Sequence, residues 1–124
     1  MTPLPRSVVT GVGSYLPTEE VTNDDLAKLV DTSDAWIFER TGIHSRRRAG
    51  EGQYTSDLAV AAAKGALAAA GRSPADIDLI VVATTTPDLT FPATATIVQR
   101  KLAFRYASPS TFRRSVQASS TPWR

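Results

Sequence analysis

The sequence predicts an α/β fold built on a parallel sheet, and two observations carry that prediction. Residues 79 to 83 (LIVVA) form an unbroken apolar, β-branched run, the pattern of a strand covered on both faces by helices. Residues 56 to 70 form the most clearly helical stretch, with Leu58, Ala62, Ala66 and Ala69 on one face and Gly71 placed to end it. Strand, helices, helix, strand, loop and helix then follow one another along the chain, which is an α/β order.

Each element has a local reason. Residues 7 to 14 (SVVTGVGS) carry three valines broken by Gly11 and Gly13, which reads as a short strand running into a loop at Leu16 and Pro17. Thr22 with Asp25 three residues on can cap a short helix whose apolar face is Leu26, Leu29 and Val30. Residues 32 to 34 (TSD) offer a second N-cap, for a helix bearing Ala35, Trp36, Ile37 and Phe38 and stopping near Gly42. Residues 44 to 53 (HSRRRAGEGQ) are polar and glycine-bearing and read as a loop. The small side chains of the 56 to 70 helix let another backbone approach closely, so this helix is expected to be buried. After the LIVVA strand, Thr84, Thr85, Thr86, Pro87 and Asp88 lie at its carboxyl end, where α/β sheets place ligands. Pro92 suits the first position of a helix running from Ala93 to about Leu102.

Length and composition bound the rest. At 124 residues and 13.3 kDa, the chain has room for one small domain or for a piece of a larger one. Hydrophobic residues at 42% and charged residues at 21% exclude wholesale disorder and a fibrous rod. No apolar run approaches a membrane span, and the start, MTPLPRSVV, has no signal-peptide core, so the expectation is a cytoplasmic protein without a membrane partner. There is no cysteine, hence no disulfide, thiolate metal site or thiol nucleophile. The formal net charge of +2 is unevenly distributed: residues 1 to 103 carry a net −2, while 104 to 124 carry four arginines and no acid. That tail, FRYASPSTFRRSVQASSTPWR, has five Ser, no Leu, Ile or Met and no helical or strand period, and reads as disordered.

Few residues suggest chemistry. Gly11 and Gly13 lack the third glycine and following helix of a dinucleotide turn. Arg46, Arg47 and Arg48 could meet a phosphate, but no aromatic residue is interleaved and the first 103 residues are net acidic, so a solvated face is the default. His44 is the single histidine and reads as structural, and no metal site is expected. Trp36 on a short helix would ordinarily be core. With Thr32, Arg40 and Thr41 nearby it also reads as a ligand platform, because an indole face and a guanidinium one turn on can hold a flat, phosphorylated group.

Taken together, GVGSYLP (11 to 17), VTNDDLAKLVDTSDAWIFERTGI (21 to 43), DLAVAAAKGALAAAG (57 to 71) and DIDLIVVATTTPDLTFPATA (76 to 95) resemble the amino-terminal part of β-ketoacyl-acyl carrier protein synthase III. The resemblance covers about residues 6 to 102. It implies a partial thiolase-like fold, the first part of one of two duplicated α/β halves, ending at residue 103. It implies the initiating condensation of type II fatty acid synthesis, in which an acyl group passes from acyl-CoA to a cysteine and is then joined to malonyl-acyl carrier protein with loss of carbon dioxide. It further implies a homodimer, no metal or redox cofactor and no nucleic-acid partner. By matching positions, Trp36 corresponds to the residue that stacks on the CoA adenine, with Thr32, Arg40 and Thr41 around it. Phe91 corresponds to the residue that reaches the partner subunit's acyl pocket, or else serves only as a dimer anchor.

The tail departs from this family, whose helix leads into a buried strand and a nucleophile segment like AFDVQAVCSGF. The family's catalytic cysteine, histidine and asparagine have no counterparts in this chain, so it is expected to be inactive alone. Two alternatives stand beside this reading: a non-enzymatic binding module with a basic tail, and a secondary-metabolism relative of the same synthase. The tail has an explanation of its own. If each codon is made from the third base of one residue and the first two bases of the next, residues 108 to 124 decode, with permitted synonymous codons, as AFDVQAVCSGFVYALA. The cysteine codon arises from Ser115 and Val116, which points to a one-base frameshift near codons 103 to 107. Resequencing the locus from about codon 95 is expected to reveal that segment in another frame; no frame encoding it would remove the explanation.

Overall fold

The computed structural model describes residues 6 to 103 and 114 to 118, arranged in two compact units, Leu16–Gln53 and the segments on either side of it. In the first unit, β1 (Glu19–Thr22) leads directly into α1 (Asn23–Ala27), then α2 (Asp34–Thr41) and β2 (Ser45–Arg48). The strands pair antiparallel, Glu19 opposite Arg48 and Thr22 opposite Ser45. This overturns the expectation of a loop at 44 to 53. The reason is cross-strand charge: Arg48 pairs with Glu19, Arg47 lies 3.4 Å from Glu20, and Ser45 Oγ donates to Glu20 at 2.5 Å. Neither strand is apolar, so an apolar search passes over both.

The helix boundaries follow their caps. Thr22 accepts from the Asp25 N–H at 3.1 Å while Asp25 accepts from the Thr22 N–H at 3.1 Å, a reciprocal capping box. Ser33 caps α2 by accepting from the Trp36 N–H at 3.2 Å. Gly42 ends α2 in the left-handed conformation, φ 69°, where a side chain would be strained.

The second unit contains α3 (Thr55–Ala70), β3 (Leu79–Ala83), α4 (Thr94–Lys101) and β4 (Arg114–Ala118), with a single 3-10 turn at Pro74–Asp76. β3 and β4 pair in parallel, Leu79 opposite Arg114 and Ala83 opposite Ala118, so the parallel sheet is present. The strand at 114 to 118 departs from the expectation of an irregular tail. Ladder pairing uses backbone groups that any non-proline residue supplies, so the open edge of β3 accepts RSVQA. The remainder of the tail lies outside the described residues.

Four further expectations are corrected. Residues 7 to 14 form no strand; Val8, Val9 and Val12 are exposed and no described strand pairs with them. β3 is covered on one face only, Leu79 and Val81 being exposed, and α3 is largely half-buried rather than buried. In both cases the described elements supply neighbours on one side alone. Pro92 is not the first helical residue of α4: the helix begins at Thr94 with Ala93 as its N-cap, which places Pro92 one residue before the cap.

In the second unit the buried apolar side chains among the described residues are Ala95, Ile97, Val98 and Leu102, all on or ending α4. Burying each of the three larger ones contributes about 1.5–3 kcal/mol. Polar ties fasten α3 to α4 and to the loop before it: Lys101 Nζ donates to Ser56 Oγ at 2.7 Å and to Asp57 Oδ1 at 2.6 Å, and Asp88 Oδ1 accepts from the Ser56 N–H at 2.8 Å. Among the described residues no helix is long and apolar enough to cross a membrane.

Gly11 and Gly13 explain the small residues of α3, because their backbone lies directly on it. A Cβ on Gly13 would stand 2.3 Å from Ala66 N and 2.4 Å from Ala62 O, and one on Gly11 would stand 2.5 Å from Ala66 O. Replacing Gly13→Ala is expected to destabilise the chain by roughly 1–3 kcal/mol in urea unfolding followed by circular dichroism. Gly50→Ala, where nothing lies within 4 Å, should change it by less than about 0.5 kcal/mol.

Candidate functional site

Of the residues singled out from the sequence, Trp36, Arg40 and Thr41 lie on α2 and Thr32 just before its N-cap. Trp36 sits in its first turn, 55% exposed, so it is not a core residue. One turn on, Arg40 lays its guanidinium over the indole, Cζ 4.3 Å from the ring centroid, and its Nη1 donates to Trp36 O at 3.2 Å. Such a stack contributes about 0.5–1 kcal/mol at an exposed site. The result is an accessible aromatic plate with a cation fixed to it, in the last helical turn where positive charge is favoured. A planar heterocycle carrying an anion suits it: the ring stacks on the indole, and the guanidinium pairs with the charge.

Thr41 and Thr32 present less to a ligand. Thr41 Oγ1 donates to Ile37 O at 2.7 Å and accepts from the Ile43 N–H at 3.1 Å, so it helps close the end of α2. Thr32 Oγ1 is buried, with no hydrogen-bond partner among the described residues. Its hydroxyl reaches a ligand only by rotating outward. Phe91, in the other unit, is 86% exposed on the loop before Pro92.

Arg46, Arg47 and Arg48 are already engaged. Arg46 Nη2 donates to Asn23 Oδ1 at 2.7 Å, Arg47 Nη1 donates to Thr18 O at 3.1 Å beside its pairing with Glu20, and Arg48 pairs with Glu19. They hold the hairpin. His44 stacks on Phe38, ring centroids 4.0 Å apart, and its Nδ1 lies 3.0 Å from Asp34 Oδ1. Among the described residues no group of three or more His, Cys, Asp or Glu is placed to hold a metal ion.

One residue of this region escaped the sequence reading. Asn23 is 1% exposed; its Nδ2 donates to Asp34 Oδ1 and to Ile43 O, each at 2.7 Å, and its N–H donates to His44 O at 3.0 Å. A polar residue beginning a short helix ordinarily reads as solvated, and its partners are 11 and 20 residues away, beyond any local pattern.

The comparisons with known proteins bear on this geometry. No family model matches the chain. The β-ketoacyl-[acyl-carrier-protein] synthase III of Caulobacter vibrioides is 74% identical over 97 residues, 78% of this chain and 30% of that protein. The enzyme of the same name from Rhodospirillum rubrum is 61% identical over 105 residues, 85% of this chain and 32% of that protein. Among solved structures, the 3-oxoacyl-[acyl-carrier-protein] synthase III of Aquifex aeolicus superposes with a TM-score of 0.76 at 42% identity, covering 90% of this chain and 34% of that one. A priming β-ketosynthase from a polyketide biosynthetic pathway superposes at 0.79 with 37% identity, covering 90% and 32%. The described architecture is therefore a partial thiolase-like α/β fold. Within that class, the chain is similar to β-ketoacyl-acyl carrier protein synthase III enzymes and spans about a third of the length of the relatives it matches.

The hydrogen bond from His44, and then the one from Asn23, hold the Asp34 carboxyl below its usual 3.8. A lowered folded pKa contributes stability that is present above the unfolded value and is lost as pH falls through the folded one. Trp36 fluorescence, read in a Trp123→Phe background, is expected to report loosening of α2 below about pH 4. Asp34→Asn should flatten that acid limb.

Proposed function

We propose that the protein from which this segment derives is a 3-oxoacyl-acyl carrier protein synthase III. It condenses an acyl-CoA, typically acetyl-CoA, with malonyl-acyl carrier protein and so begins fatty acid synthesis as a cytoplasmic homodimer without metal or redox cofactor. The observation that carries the reading is the exposed Trp36 and Arg40 stack on a segment 74% identical to a named synthase III. In this reading Trp36 receives the CoA adenine, Arg40 pairs with its phosphates, Thr32 and Thr41 border the ring, and Phe91 shapes the acyl pocket across the dimer. The 74% identity to a named synthase III over 78% of the chain also speaks against the basic binding module.

For the 124-residue chain itself we propose binding without turnover. Forming the acyl-enzyme requires a thiolate, and the sequence contains no cysteine. The frameshift is the proposed cause, and residues 104 to 124 are then an out-of-frame tail rather than part of the condensing domain.

Two measurements check this. Acetyl-CoA and malonyl-acyl carrier protein incubated with the chain should give no 3-oxoacyl product. CoA titrated into the Trp123→Phe chain should quench Trp36, and Arg40→Ala should weaken binding at least tenfold, in line with loss of a charge-assisted contact of about 1.5–3 kcal/mol. Quenching that is equal with and without Arg40 would remove the proposed CoA site.

A further inference from the structure

We propose that Asn23 is a positioning residue for the nucleotide platform, a buried amide that brackets α2 at both ends and so fixes how Trp36 and Arg40 are presented. The inference rests on the CoA reading for its functional meaning, while its geometry stands independently.

The two Nδ2 hydrogens of Asn23 go to different ends of the same helix. One reaches Asp34, the first residue of α2, and the other reaches Ile43, immediately after the terminating Gly42. Eight helical residues span about 12 Å at 1.5 Å each. Holding both ends from one side-chain group therefore requires Asp34 and the returning Ile43 carbonyl to fold back to a common point. The backbone N–H of Asn23 adds a third tie, to His44 O.

The remaining acceptor fixes the orientation of the amide. Asn23 Oδ1 accepts from Arg46 Nη2 at 2.7 Å, and Arg46 lies on β2. Reversing the amide would set its oxygen against a carboxylate and a carbonyl, and its NH2 against a guanidinium, so a single orientation satisfies all partners. Through it, the hairpin is joined to α2 at a defined rotation of the helix. That rotation decides whether the indole and the guanidinium are offered outward. No other residue type satisfies the same set. Aspartate has no donors for Asp34 and Ile43, glutamine is one methylene longer in a site 1% exposed, and alanine leaves every partner unmet.

The test uses the full chain in a Trp123→Phe background, where Trp36 is the sole indole. Acrylamide quenching of Trp36, CoA titration and circular dichroism are compared for Asn23→Ala, Asn23→Asp and the control Arg47→Met. The control removes hairpin contacts without touching Asn23. The bracket predicts that both Asn23 variants alter Trp36 quenching at least twofold and weaken CoA at least tenfold, while Arg47→Met matches the parent. Unchanged quenching and affinity in the Asn23 variants, or the same losses in Arg47→Met, overturns it. If the parent shows no CoA binding, the CoA reading falls, and the quenching comparison still decides the bracket. If the Asn23 variants lose helical signal altogether, the pair Asp34→Asn and Asp34→Ala decides at neutral pH. The first keeps the acceptor for Asn23 and should shift Trp36 quenching less than the second does, and equal behaviour of the two overturns the proposal.

Discussion

Beyond Pro17, only four apolar side chains, Ala95, Ile97, Val98 and Leu102, are buried among the described residues, while fifteen large ones, including Val8, Leu29, Val81 and Phe91, are exposed. That imbalance governs everything else in the molecule. With so little apolar area removed from water, hydrophobic burial cannot by itself offset the cost of ordering the backbone. Directional polar contacts define most of the geometry instead: the Thr22 and Asp25 capping box, the Asn23 hub, Lys101 bridging to Ser56 and Asp57, and Asp88 at the start of α3. Such contacts specify arrangement well but contribute modestly to net stability. The exposed face of β3 and the bare valines before Tyr15 are surfaces of a kind that a larger protein would cover.

What the sequence made legible was local. The ends of α2 and α3 followed from Ser33, Gly42 and Gly71, because a cap is set by one side chain or one positive φ within a turn of the helix it closes. The parallel sheet followed from LIVVA. Pairing was harder to read, since a strand exists only where a partner supplies a ladder. Residues 7 to 14 have a strand's composition without a described partner, whereas EEVT and SRRR have a loop's composition and pair through opposite charges. The same division runs through the candidate site. Trp36 and Arg40 are one helical turn apart and were visible as a pair, but Asn23 acts across 11 to 20 residues and left no local trace.

The family resemblance and the physical reading contribute different things. Resemblance singles out Thr32, Trp36, Arg40 and Thr41 together, yet the hydrogen bonds divide them: two form an exposed plate and cation, one closes a helix, and one is turned inward. The arginine run illustrates the converse. Three consecutive cations suggest an anion site, but each is already held by a carboxylate, an amide or a carbonyl, so the charge that a ligand would meet is smaller than the sequence implies.

The bare backbone of Gly11 and Gly13 against α3 has a consequence for how such a sequence can drift. The alanines of that helix are fixed by clearance as much as by helical preference, since Ala62, Gly65 and Ala66 lie where the glycine chain passes. A side chain at Gly11 or Gly13 would push the two backbones apart, whereas a Cβ on Gly65 would meet Gly13 Cα at an ordinary 3.6 Å, so the constraint falls on the glycine side. Drift at Gly11 and Gly13 is thereby limited by clearance alone, with no chemistry involved.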